Sequence, residues 1–68
     1  MAHAAMDEDQ LIENLVDTLA EYEPSGSNDL AKRLNLPVLV VRNELVKLER
    51  YGLVYRTGHT RGTLWWLG

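Results

Sequence analysis

Residues 36–52 read LPVLVVRNELVKLERYG. Val41, Leu45 and Leu48 follow one another at steps of four and three, which puts them on one face of a helix. Pro37 suits a first helical turn, where a missing N–H is no loss. Gly52 is the natural stop, because glycine takes the left-handed conformation that closes a helix. Arg42, Asn43, Lys47 and Arg50 fall mostly away from the apolar face. The spacing predicts a helix over 37–51 with one face for a core and another that is basic and polar.

Upstream, Asp7 can cap a helix, and Gln10 stands three residues on, as in a capping box. Leu11, Ile12, Leu15, Val16 and Leu19 then recur at helical spacing, with Ala20 extending the stripe. This predicts a first helix from about Asp7 to Tyr22 with acids on its outer face. Residues 23–26, EPSG, break it, since Pro and Gly punctuate helices. Ser27 is the next N-cap candidate. A short helix over 28–34 follows, with Leu30, Ala31 and Leu34 inward. Ala31 is small where the next helix must come close. Residues 35–37 form a turn that Leu36 plugs. Leu30, Ala31, Leu34, Leu36, Val41, Leu45 and Leu48 together match the packing frame of a helix-turn-helix.

Downstream of Gly52 the register changes. Residues 53–57, LVYRT, are β-branched and aromatic enough for a strand. Residues 58–62 are a loop with two glycines, and 63–67, TLWWL, a second strand. Two strands joined by five residues that include glycine form a hairpin. The expected class is α+β: three helices followed by a two-stranded β-hairpin wing, a winged helix-turn-helix. The domain spans 7–68. Residues 1–6, MAHAAM, read as a disordered tail or a cloning remnant and lack the regions of a signal peptide.

Sixty-eight residues suffice for one small domain. No cysteine is present, so neither a disulfide nor a thiolate metal site supports the core. Absence of cysteine is compatible with a reducing cytoplasm, which is the expected location. No apolar run approaches the roughly 20 residues needed to cross a bilayer. The net charge of -3 taken alone argues against a polyanionic partner. Its distribution argues the reverse. Residues 1–31 hold eight acids and no Lys or Arg, while 32–68 hold all seven basic residues with only Glu44 and Glu49. The halves carry -8 and +5, and local potential rather than the global sum attracts a polyanion. The acid-rich first helix is expected to face away from the basic surface.

From 7 to 67 the sequence resembles the winged helix-turn-helix superfamily. LAKRLNLP, VRNELVKLERYGLVYR and TRGTLWWL stand where such regulators carry the turn, the recognition helix and the wing. The chain is similar to small bacterial regulators of fimbrial operons, which share an Arg in the recognition helix (Arg42). They also share an Arg-Gly before an aromatic strand (Arg61-Gly62, then Trp65-Trp66). More loosely, it resembles domains that bind Z-form nucleic acid, through helix spacing and Leu64-Trp65. That family uses an Asn and a Tyr in the recognition helix and a Pro-Pro in the wing. Here those places hold Arg42, Val46 and Gly62-Thr63, so Trp65 alone matches.

The expected function is sequence-specific binding of double-stranded DNA by a transcriptional regulator. The recognition helix 37–51 and the wing 53–67 would make the contact. Arg42 and Asn43 are the base-reading candidates, since Arg forks to guanine O6 and N7 and Asn to adenine N6 and N7. Lys47 and Arg50 suit phosphates, although either can pair with Glu44 or Glu49. Such exposed pairs are worth about 0 to 1 kcal/mol. Arg56, His59 and Arg61 flank or occupy the wing tip. Ser27 and Asn28 open a helix, where free N–H groups and the positive dipole end take a phosphate. Val38, Leu39 and Val40 are apolar where readers usually carry polar residues. They fit thymine methyls or a protein contact. Trp65 and Trp66 point to opposite faces of one strand, one inward and one free for a surface contact. The alternatives to DNA reading are a module that binds a protein partner or pairs as a weak homodimer, and a Z-form binder with a degenerate motif. Nothing supports catalysis, a cofactor or a metal: there is no His–carboxylate cluster and no glycine-rich phosphate loop.

Overall fold

The fold, a computed structural model, describes residues 7–58 and 62–68. Helix α1 spans Glu8–Tyr22 and starts where the sequence places its cap: the Asp7 carboxylate accepts the Gln10 N–H at 2.8 Å. The capping box is only half formed, because the Gln10 side chain donates forward to Asn14 Oδ1 at 3.1 Å. Leu11, Leu15 and Leu19 are buried. Ala20 is exposed, so the core stripe of α1 is narrower than the expected one.

Helix α2 spans Ser27–Leu34, and its cap is Gly26 rather than Ser27. Ser27 is therefore the first helical residue, and no side chain caps this end. The other end is closed by Asn35, with φ of 57°. Its N–H bonds the Lys32 carbonyl at 3.3 Å, while Leu36 N–H reaches the Ala31 carbonyl at 3.0 Å. This double bond pattern ends a helix through one left-handed residue. Asn tolerates that conformation better than most side-chain-bearing residues. Leu36 packs against the core, as expected of a plug in the turn.

Helix α3 spans Val38–Arg50. Pro37 caps it in an extended conformation instead of occupying its first turn, and its carbonyl accepts from Val40 and Val41. Gly52 ends α3 as expected, at φ 77°. Its N–H bonds the Glu49 carbonyl and Leu53 N–H bonds that of Leu48, both at 3.0 Å.

Strands β1, Val54–Thr57, and β2, Leu64–Leu67, pair antiparallel. Each is one residue shorter at its start than the expected strand, leaving Leu53 and Thr63 outside the ladder. Tyr55 faces Trp66 and Arg56 faces Trp65. The break at 23–26 has a second role that its composition does not announce. Ser25 bridges to the other edge of β2, donating to the Trp65 carbonyl at 3.2 Å and accepting from Trp65 N–H at 2.8 Å. Ser25 Oγ donates to the Tyr22 carbonyl at 2.6 Å, and Glu23 Oε1 accepts from Leu67 N–H at 2.9 Å. These bonds tie the end of α1 to the hairpin.

One core results. Leu11, Leu15 and Leu19 meet Leu30 and Ala31, Val41, Leu45 and Leu48, and the sheet residues Val54 and Trp65. The hairpin is held from two sides, with β1 against α3 and β2 against α1. That fixes the wing beside the free face of α3. Among the described residues no helix is long and apolar enough to cross a membrane.

Candidate nucleic-acid interface

A groove of about 550 Å³ lies between the first turn of α2, one flank of α3 and the hairpin. Ser27, Asn28, Arg42, Val46, Arg56 and Trp65 all line it. Arg42 is exposed and forms no ion pair among the described residues. Arg56 is held in place: Nε and Nη2 donate to the two carboxylate oxygens of Glu49 at 3.1 and 3.0 Å. A bidentate pair fixes a guanidinium in orientation as well as position. Its Cζ lies 5.2 Å from the centre of the Trp65 ring, within cation–π range. Asp29, in the first turn of α2, adds one carboxylate to the groove wall.

Trp65 is the inward tryptophan, only 3% exposed. Its Nε1 is buried with no acceptor among the described residues. A buried donor without a partner carries a desolvation cost of about 1–3 kcal/mol. Trp66 is the outward one. Its ring stacks parallel to Tyr55, centres 6.1 Å apart, and its Nε1 donates to Thr57 Oγ1 at 3.0 Å.

Lys47 sits on the other flank of α3 and is not placed with Arg42. Its ammonium pairs with Glu8 of α1 at 2.5 Å, not with Glu44 or Glu49 of its own helix. Glu44 lies buried beside this pair. Burial, and then the hydrogen bond with Glu8, raises the Glu44 carboxyl above its ordinary value. The Lys47 bond lowers the Glu8 carboxyl, and the same bond raises the Lys47 ammonium. Glu44 follows Val41 by three and precedes Leu48 by four, so its inward position was readable from the sequence. The Glu8 contact was not, since 39 residues separate the partners.

Asn43 and Arg50 are exposed, and Arg50 forms no ion pair among the described residues. Leu39 is 63% exposed, with Val38 and Val40 less so. His59 and Arg61, expected at the wing tip, lie outside the described residues. Among the described residues no cluster of His, Cys, Asp or Glu is placed to hold a metal.

No family model matches the sequence, and no curated protein matches it. Solved structures do. The Zalpha domain of Carassius auratus PKZ, determined in complex with Z-DNA, superposes with a TM-score of 0.84. Identity is 24%, over 90% of this chain and 97% of that one. The apo-Zalpha domain of zebrafish PKZ gives 0.82 at 24% identity, covering 88% and 94%. The chain has the winged-helix fold. A point mutant of Lactococcus lactis ZitR matches at 0.72 and 23% identity, over 100% of this chain and 50% of that one. At these identities the likeness is one of winged-helix architecture, and the identities of the groove residues must speak for themselves.

Proposed function

We propose that this winged helix binds double-stranded DNA, with α3 in the major groove and the hairpin along the adjoining backbone, as the DNA-reading part of a transcriptional regulator. The observation that carries the reading is the groove lined by Arg42, which has no carboxylate partner among the described residues, by the fixed Arg56 and by Trp65. The unpaired charge of Arg42, and the donors that Arg56 leaves free beyond Glu49, suit an anionic acceptor. In this reading Arg42 and Asn43 address bases. Arg50, Arg56, Arg61 and the first turn of α2 at Ser27 and Asn28 hold phosphates. In this reading the protein has no catalytic residue and works in the cytoplasm.

The test is a binding selection from random duplexes, followed by affinity at several salt concentrations. Each phosphate contact steepens the fall of log K against log salt by about 0.9. A slope near zero, or no retained duplex, overturns the reading.

The likeness to a Zalpha domain in complex with Z-DNA favours a second reading, in which the same groove takes Z-form DNA. Trp65 supports it, while Arg42, Val46 and Gly62-Thr63 depart from the residues that the resemblance implies. Alternating dC-dG duplexes whose circular dichroism inverts on adding the protein would establish it.

A further inference from the structure

We infer that Leu39 and Val46 are specificity residues that read thymine methyl groups on either side of an adenine addressed by Asn43, in right-handed DNA. The inference rests on the duplex-binding reading above. Leu39, Asn43, Val46 and Arg50 follow one another at steps of four, three and four. They form one line along α3, away from the buried Val41, Leu45 and Leu48. Leu39 is 63% exposed and Val46 38%. Neither side chain can accept or donate a hydrogen bond, so neither can serve a phosphate or a polar base edge. Among the four bases only thymine offers an apolar group in the major groove, its C5 methyl.

Asn43, between them, matches the N6 and N7 edge of adenine, the partner of thymine. The three side chains therefore ask for the same kind of base pair. Seven residues of helix separate Leu39 from Val46, a rise of about 10 Å. That spans about three base pairs at 3.4 Å each. Val46 also lines the groove beside Arg42 and Trp65, so the line and the phosphate-binding wall are continuous. A protein partner fits this face less well. Exposed Val38 and Val40 adjoin Leu39, but Asn43 and Arg50 interrupt the line and Arg42 flanks it, so the apolar surface does not run on unbroken to Val46.

The test takes the best duplex from selection and replaces each thymine in turn with deoxyuridine, which removes the methyl and nothing else. Wild-type protein should lose about fourfold in affinity for each methyl that is buried. Leu39→Ala and Val46→Ala should each bind the parent duplex more weakly and become insensitive to uracil at one position. Both substitutions are at exposed positions, and the uracil series needs no variant at all. Intact duplex binding with no uracil effect anywhere overturns the inference while leaving the proposed function standing. A selected site of G·C pairs alone does the same. Failure to bind any duplex overturns both. Self-association lost in the two variants, with uracil silent, would replace the inference by a contact between protein chains.

Discussion

Glu44 shows how much one residue on the wrong side of a helix matters. It occupies the core face of α3, 6% exposed, and one carboxylate oxygen has no partner among the described residues. Its carboxyl is raised above the ordinary 4.5, first by burial, so the folded chain holds that proton more tightly than the unfolded chain. Stability from this group is therefore greatest below about pH 4.5 and declines as pH rises through the folded value. Glu44→Gln keeps the shape and removes the charge. It should raise the urea midpoint at neutral pH and leave it unchanged near pH 3. A lower midpoint at neutral pH would mean that the ionised carboxylate contributes to stability. Arg42 is the opposite case, an exposed charge without an internal ion-pair partner among the described residues. Arg42→Ala should leave stability within about 0.5 kcal/mol. It should lower duplex affinity by about 1–3 kcal/mol with relaxed preference at one base pair, as titration against single-base variants would show.

At the scale of the elements, both helices of the helix-turn-helix end on a left-handed residue, Asn35 and Gly52. A Cβ at Gly52 would meet nothing within 4 Å. The cost of Gly52→Ala is therefore conformational, about 1–2 kcal/mol, and should appear as a lower urea midpoint with unchanged slope. The register of β1 hangs on this turn, since Leu53 N–H closes the helix one residue before the strand starts. Leu45 lies fully buried on the face that α3 presents to the core. Leu45→Ala should cost about 2–5 kcal/mol. A domain of this size has a total stability of only about 3–10 kcal/mol. Thermal unfolding should show a variant at or near loss of cooperative folding.

For the molecule as a whole, the acidic and basic halves of the chain are not fully separated in space. Helix α1 reaches α3 through Glu8 and Lys47. That contact engages the Lys47 ammonium, half exposed, on the α1 side of α3, so a phosphate would have to compete with Glu8 for it. Neither Glu13 nor Asp17 pairs with Arg42 among the described residues, so the groove keeps its positive side. Glu8→Gln should free Lys47 and steepen the salt dependence of duplex binding by about 0.9 in log K per log salt. Glu13→Gln, a change of equal charge elsewhere on α1, should not alter the slope. Equal slopes in the two variants would show that Lys47 lies too far from the DNA to take part.

Local pattern was enough for the elements. Val41, Leu45 and Leu48 at helical steps, Asp7 before Leu11, Gly52 after Arg50 and the β-branched, aromatic runs of the hairpin each report on neighbours within one or two turns. Periodicity works at that range because backbone geometry sets it. The same rule put Trp65 and Trp66 on opposite faces but not which one would be buried. That was decided by which face of the hairpin packs on the helices, β1 against α3 and β2 against α1, with Ser25 from far earlier in the chain pairing with Trp65 along the edge of β2. Glu23 on Leu67, Glu8 on Lys47 and the grouping of Arg42, Arg56 and Trp65 around one groove belong to the same class. Each joins residues that share no helix face and no strand, so no period in the sequence encodes them. Only the packing of the three helices and the hairpin around a single core brings them together.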